Sequence, residues 1–167
     1  LRVSPKDPFC LNGLGLCLKN LGQLDDAATC FDAVLAIQPG HAEALDNFGS
    51  IRNAQGRYAE AESLHREAIR NSPDFAGAWN NLGNARHAAG RTADAWPAWR
   101  AALALDPGLP ETHTNFGNAL RRAECFAEAE RSQRRAIRLA PLEAPARNNL
   151  GHLHQGRHDH AGAASAY

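Results

Sequence analysis

Glycine recurs every 34 residues along this chain, at Gly15, Gly49, Gly83, Gly117 and Gly151. With 14 glycines in 167 positions, five in one register are not a composition effect. Other positions keep the same step. Leu14, Phe48, Leu82, Phe116 and Leu150 precede the glycines, and Ala27, Ala61, Ala95, Ala129 and Ala163 follow them at a fixed distance. Pro39, Pro73, Pro107 and Pro141 close the units. A period of this length marks an array of stacked supersecondary units, each too small to bury a core alone.

Within a unit the pattern reads as two helices. In the third, helices over about 76–89 and 92–105 flank a turn at Gly90-Arg91. Gly22, Gly56 and Gly90 stand where a left-handed residue ends a first helix. Asp26, Glu60, Asp94 and Glu128 fall in the first turn of each second helix, where the helix dipole favours an acid. The closing prolines lack an amide hydrogen and stop that helix. Gly83 and Ala95 are expected to let the two backbones approach, with Trp79, Leu82 and Trp99 filling the space around them. Pro97, deep in a second helix, predicts a kink, and Glu124 and His158 replace the turn glycine in units four and five.

The third unit, with Trp79-x-x-Leu82-Gly83, Ala95-x-x-x-Trp99, Ala102 and Pro107, resembles the tetratricopeptide repeat family. The resemblance implies an all-α fold, a right-handed superhelical solenoid of antiparallel helix pairs. Residues 8–167 are expected to form a single array with repeats at about 8–41, 42–75, 76–109, 110–143 and a truncated 144–167, preceded by a short remnant at 1–7. A chain that begins Leu1-Arg2-Val3, lacks methionine and stops inside a helical pattern is expected to be a piece of a longer protein.

Composition narrows the function. Eighteen basic and 18 acidic side chains give zero net charge, which argues against a nucleic-acid partner. No apolar stretch approaches the roughly 20 residues of a membrane span. Without a visible leader, and with four cysteines, Cys10, Cys17, Cys30 and Cys125, unsuited to a disulfide framework, a cytoplasmic location is expected. No phosphate loop, nucleophile elbow or zinc-protease motif occurs, so no catalytic residue, cofactor or metal is expected. His154 and His158 have a metal-ligand spacing, but a turn expected near Gly156-Arg157 would separate them. Residues 1–75 carry a net charge of −3 and residues 76–167 a net charge of +3.

Asparagine carries the functional signal. Counted from the residue seven before each glycine, the sixth position holds Asn47, Asn81, Asn115 and Asn149. The fifth adds Asn12, Asp46, Asn80 and Asn148, and the ninth Asn84 and Asn118. Asparagine is a poor helix former, so its return in mid-helix points to a task for the amide. In the family resembled, the first helices line the concave groove. A ladder of amides there would donate to and accept from the backbone of an extended polypeptide, largely regardless of its side chains. In a second reading the sixth-position amides bond across to the neighbouring repeat and only hold the stack together. The fifth and ninth positions favour binding. Arg121 and Arg122 are the candidate contacts for an acidic partner.

The expected function is therefore a protein–protein interaction module taking a peptide segment through Asp46, Asn47, Asn80, Asn81, Asn84, Asn115, Asn118, Arg121, Arg122, Asn148 and Asn149. The Asn-Leu-Gly-Asn runs are also similar to the repeats of O-linked N-acetylglucosamine transferases and their SPINDLY-like relatives. That likeness implies an alternative, a non-catalytic substrate-recruiting arm of a larger glycosyltransferase or sulfotransferase. End-to-end self-association through exposed array ends is a further expectation. A two-carboxylate chaperone clamp is disfavoured, because the fifth positions lack the lysine it needs.

Overall fold

The computed structural model describes residues 7–156. Every regular element among them is an α-helix: α1 (Pro8–Asn20), α2 (Leu24–Ile37), α3 (Ala42–Ala54), α4 (Tyr58–Asn71), α5 (Ala76–Ala88), α6 (Thr92–Leu105), α7 (Pro110–Arg122), α8 (Phe126–Leu139) and α9 (Ala144–Gly156). The odd-numbered helices begin at residues 8, 42, 76, 110 and 144, which are the starts the glycine register sets. Two compact units divide inside α6, the first ending at Ala98 and the second beginning at Trp99. Pro97 lies within the continuous span of α6, next to that division. His158 and its turn lie outside the described residues.

Local chemistry places the helix ends. Asp7 accepts from the Phe9 amide at the start of α1, which carries proline in its first turn. Gly22, Gly56 and Gly90 adopt φ of 77°, 75° and 79° between the helices of their pairs. Glu124 is held in the same left-handed region at φ 61°, which costs a side-chain-bearing residue about 1 kcal/mol.

In the first unit α1 packs on α2, α3 on α4, and each first helix also meets the second helix before it. Ala27, Phe31, Val34, Ala44 and Ile51 form one buried cluster, and Leu45, Ala68 and Ala78 another. In the second unit Trp99 is fully buried, its ring centroid 5.9 Å from that of Phe116. Trp79 does not fill the core as the sequence led us to expect. It is half-buried, and its indole N–H donates to the Pro73 carbonyl at 3.0 Å. Leu14 is half-exposed, whereas its counterparts Leu82, Phe116 and Leu150 are buried.

The repeat glycines are sites of close approach. A methyl group on Gly15 would stand 2.8 Å from the Phe31 ring, on Gly49 2.7 Å from the His65 ring, and on Gly117 2.6 Å from the Gln133 amide nitrogen. One residue of the second helix therefore lies over the glycine of its own first helix. Where that residue is polar, the same repeat supplies a partner. The His65 Nδ1–H donates to Asp46 Oδ1 at 2.7 Å inside the core, and Gln133 Nε2 donates to the Thr114 carbonyl at 3.1 Å.

Two outcomes follow from this packing. Glu124→Gly removes the left-handed strain and should raise stability by about 1 kcal/mol, read as a higher urea midpoint by circular dichroism. Asp46→Ala leaves His65 buried without its acceptor and should cost about 2–3 kcal/mol. The double change Asp46→Asn with His65→Phe rebuilds the Asn12/Phe31 pairing of the first repeat. It should fall within about 1 kcal/mol of the parent in the same assay.

Candidate functional site

The asparagines sit on the first helices, α1, α3 and α5 in the first unit and α7 and α9 in the second. Several of their amides are engaged within the protein. Asn81 Nδ2 donates to Asp46 Oδ2 at 2.9 Å and approaches Ser50 Oγ at 3.5 Å, tying α5 to α3. Asn80 Nδ2 donates to Asn81 Oδ1 at 3.3 Å. Asn12 Nδ2 reaches Glu43 at 3.4 Å, a weaker bridge between α1 and α3. Asp46 is already engaged within the protein. It is buried, with one carboxylate oxygen taken by His65 and the other by Asn81.

A different arrangement holds at Asn47 and Asn118. Lys19 Nζ donates to Asn47 Oδ1 at 2.7 Å, and Arg121 Nη2 donates to Asn118 Oδ1 at 3.2 Å. In both, a basic side chain fixes the amide oxygen while Nδ2 makes no bond among the described residues. Both amides are half-exposed. A primary amide held this way presents N–H donors in a set orientation, suited to a backbone carbonyl.

Asn84 and Asn115 are half-buried and have polar partners of their own. Asn149 is half-buried, and Asn148 and Arg122 are exposed. Arg121 is occupied by Asn118, and its Nε is buried without a hydrogen-bond partner. Sequence reasoning missed Lys19, Ser50 and His65. A signal for His65 was present, because Asp46/His65 and Thr114/Gln133 occupy the same two repeat positions, where the first and third repeats carry Asn12/Phe31 and Asn80/Trp99.

Another feature lies between α4 and α5. A groove of about 1220 Å³ runs over Ile69, Trp79 and Leu82 and is walled by arginines. Glu62 lies there between Arg86, at 2.9 Å, and Arg91. Burial pushes its carboxyl pKa upward, but hydrogen bonds and charge from the two guanidinium groups outweigh that and hold it below the usual carboxylate value. Among the described residues no cluster of three or more His, Cys, Asp or Glu could hold a metal. No helix among them is long and apolar enough to cross a membrane.

Two tetratricopeptide repeat models match residues 8–74 and 47–110. The mouse Protein O-mannosyl-transferase TMTC1 is 32% identical over 74 residues, which are 42% of this chain and 8% of that protein. TTC0263, a thermophilic TPR protein of Thermus thermophilus, superposes with a TM-score of 0.82 at 22% identity, covering 96% of this chain and 88% of its own. Pseudomonas aeruginosa pilF gives 0.85 at 20% identity, covering 98% and 74%. YrrB, described as a TPR protein with an unusual peptide-binding site, gives 0.71 at 20% identity, covering 96% and 83%. With the 34-residue helix pairs, their left-handed turns and the glycine contacts, these matches show that the chain belongs to the tetratricopeptide repeat family and is built as a protein-interaction module.

Proposed function

We propose that each of the two units binds an extended polypeptide segment along its own first helices, through amides that address the segment's backbone. The observation that carries the reading is made once in each unit: the oxygen of Asn47 is held by Lys19 in the first and that of Asn118 by Arg121 in the second, and the N–H groups of both remain open. Fixing a donor before the ligand arrives lowers the ordering cost of binding. Asn84, Asn115, Asn148, Asn149 and Arg122 extend the same polar surface within their own units. Asn80, Asn81 and Asp46 act in the proposal as supports. Asn81 and Asp46 link one repeat to the next, and Asn80 bonds to Asn81 on the same helix. The role is non-catalytic, and the peptide-binding site described for YrrB supports the class of ligand.

A second reading makes the module the substrate-recruiting arm of a larger glycosyltransferase. The stretch it shares with the mouse O-mannosyl-transferase favours that reading.

Peptides selected from a random display library supply the test. Selected binders should share little side-chain consensus. Changing Asn47 and Asn118 together to Ala should weaken them about twofold to tenfold, since each unit then loses one amide contributing roughly 0.5–1.5 kcal/mol. The urea midpoint should not move. Asn81→Ala should instead lower the midpoint, because it strips a donor from buried Asp46. Unchanged affinity in the Asn47/Asn118 variant would exclude the backbone-directed reading.

A further inference from the structure

The groove between α4 and α5 faces away from the asparagines of α5. Successive residues of a helix are about 100° apart. On α5 this sets Trp79, Leu82, Arg86 and Ala89 on the side opposite Asn80, Asn81 and Asn84. On α4 it turns Arg66 and Arg70 away from His65, which points into the core.

The charges in this groove are unequal. Five arginines, Arg57, Arg66, Arg70, Arg86 and Arg91, line it with two glutamates, Glu60 and Glu62. Internal pairing consumes part of the set. Arg57 donates to Glu60 at 2.7 Å, and Glu62 holds both Arg86 and Arg91. Arg66 and Arg70 are exposed and make no ion pair or hydrogen bond among the described residues. Standing four apart on α4, they have Cβ atoms about 5–6 Å from each other. Alternate side chains of an extended chain on one face are about 6.6 Å apart. Two unpaired arginines whose Cβ atoms stand at that spacing can reach carboxylates at alternate positions of such a segment, and Ile69 and Trp79 offer an apolar floor beside them.

We propose that this groove is a second docking surface, which takes an extended acidic polypeptide segment whose alternate carboxylates pair with Arg66 and Arg70 while a neighbouring apolar side chain lies on Ile69 and Trp79. The surface is independent of the asparagine face and does not rest on the function proposed for it. A nucleic acid is the poorer match, because Glu60 and Glu62 interrupt the positive wall that a continuous phosphate backbone requires.

The probe is a fluorescein-labelled peptide that alternates glutamate with serine around a central leucine, read by anisotropy. The parent should bind it, and the glutamine version of the peptide should not bind. Changing Arg66 and Arg70 together to Glu should weaken binding at least about tenfold. An equal charge reversal at exposed Arg131 and Arg135 on α8 should change it less than about twofold. Equal circular dichroism melts keep folding apart from binding. No binding by the parent overturns the proposal, as does equal loss in both charge-reversed variants. Tighter binding of a single-stranded oligouridylate through the same arginines assigns the surface to nucleic acid and overturns it as well.

Discussion

The fold depends on one contact, repeated. In each helix pair where it is seen, a second-helix side chain lies against the glycine of the first helix, closer than a methyl group would allow. The occupant can be an aromatic ring, as at Phe31, or a polar group, as at His65 and Gln133. What cannot vary is the absence of a side chain beneath it. That requirement produces the strict glycine period, and the alanines at Ala27, Ala61 and Ala129 are buried where the helices of these pairs come together.

Tolerating polar occupants of that contact has a cost that the rest of the first unit absorbs. A buried imidazole needs an acceptor, and Asp46 provides it. The second carboxylate oxygen then needs a donor of its own, which comes from Asn81 in the next repeat. A single unusual side chain in the core thus dictates residues on two neighbouring helices. The amide at Asn81 is bound by this demand, while the same repeat position at Asn47 faces Lys19 and keeps its donors open. Identical residues in identical register end with different partners because their neighbours differ.

Much of this was legible in the sequence. The helix starts, the left-handed turns at Gly22, Gly56 and Gly90 and the acids in the second-helix first turns follow from propensity and period. The burial of Asp46 was not, since a carboxylate on a polar helix face reads as a surface group until its partner is known. Trp79 misled in the opposite direction. A large ring at a consensus position reads as core, yet the groove between α4 and α5 leaves it half-open, with its N–H satisfied by Pro73. Spacing along a helix reports which residues share a face. It does not report whether a face is shut by a neighbour, which depends on packing between elements distant in the chain.

The Asp46–His65 and Thr114–Gln133 pairs each lie inside one repeat, whereas the Asn81–Asp46 bond crosses from one repeat to the next. The two kinds of link set different rules for transplantation. A repeat moved as a whole carries its glycine, its occupant and the occupant's partner with it, so its interior survives the move. Its seam does not travel. The second repeat, inserted elsewhere, would need a successor with an amide at the sixth position to quiet the far oxygen of Asp46. The family's freedom to lengthen by copying units is in this chain restricted at that junction by the chemistry of one histidine.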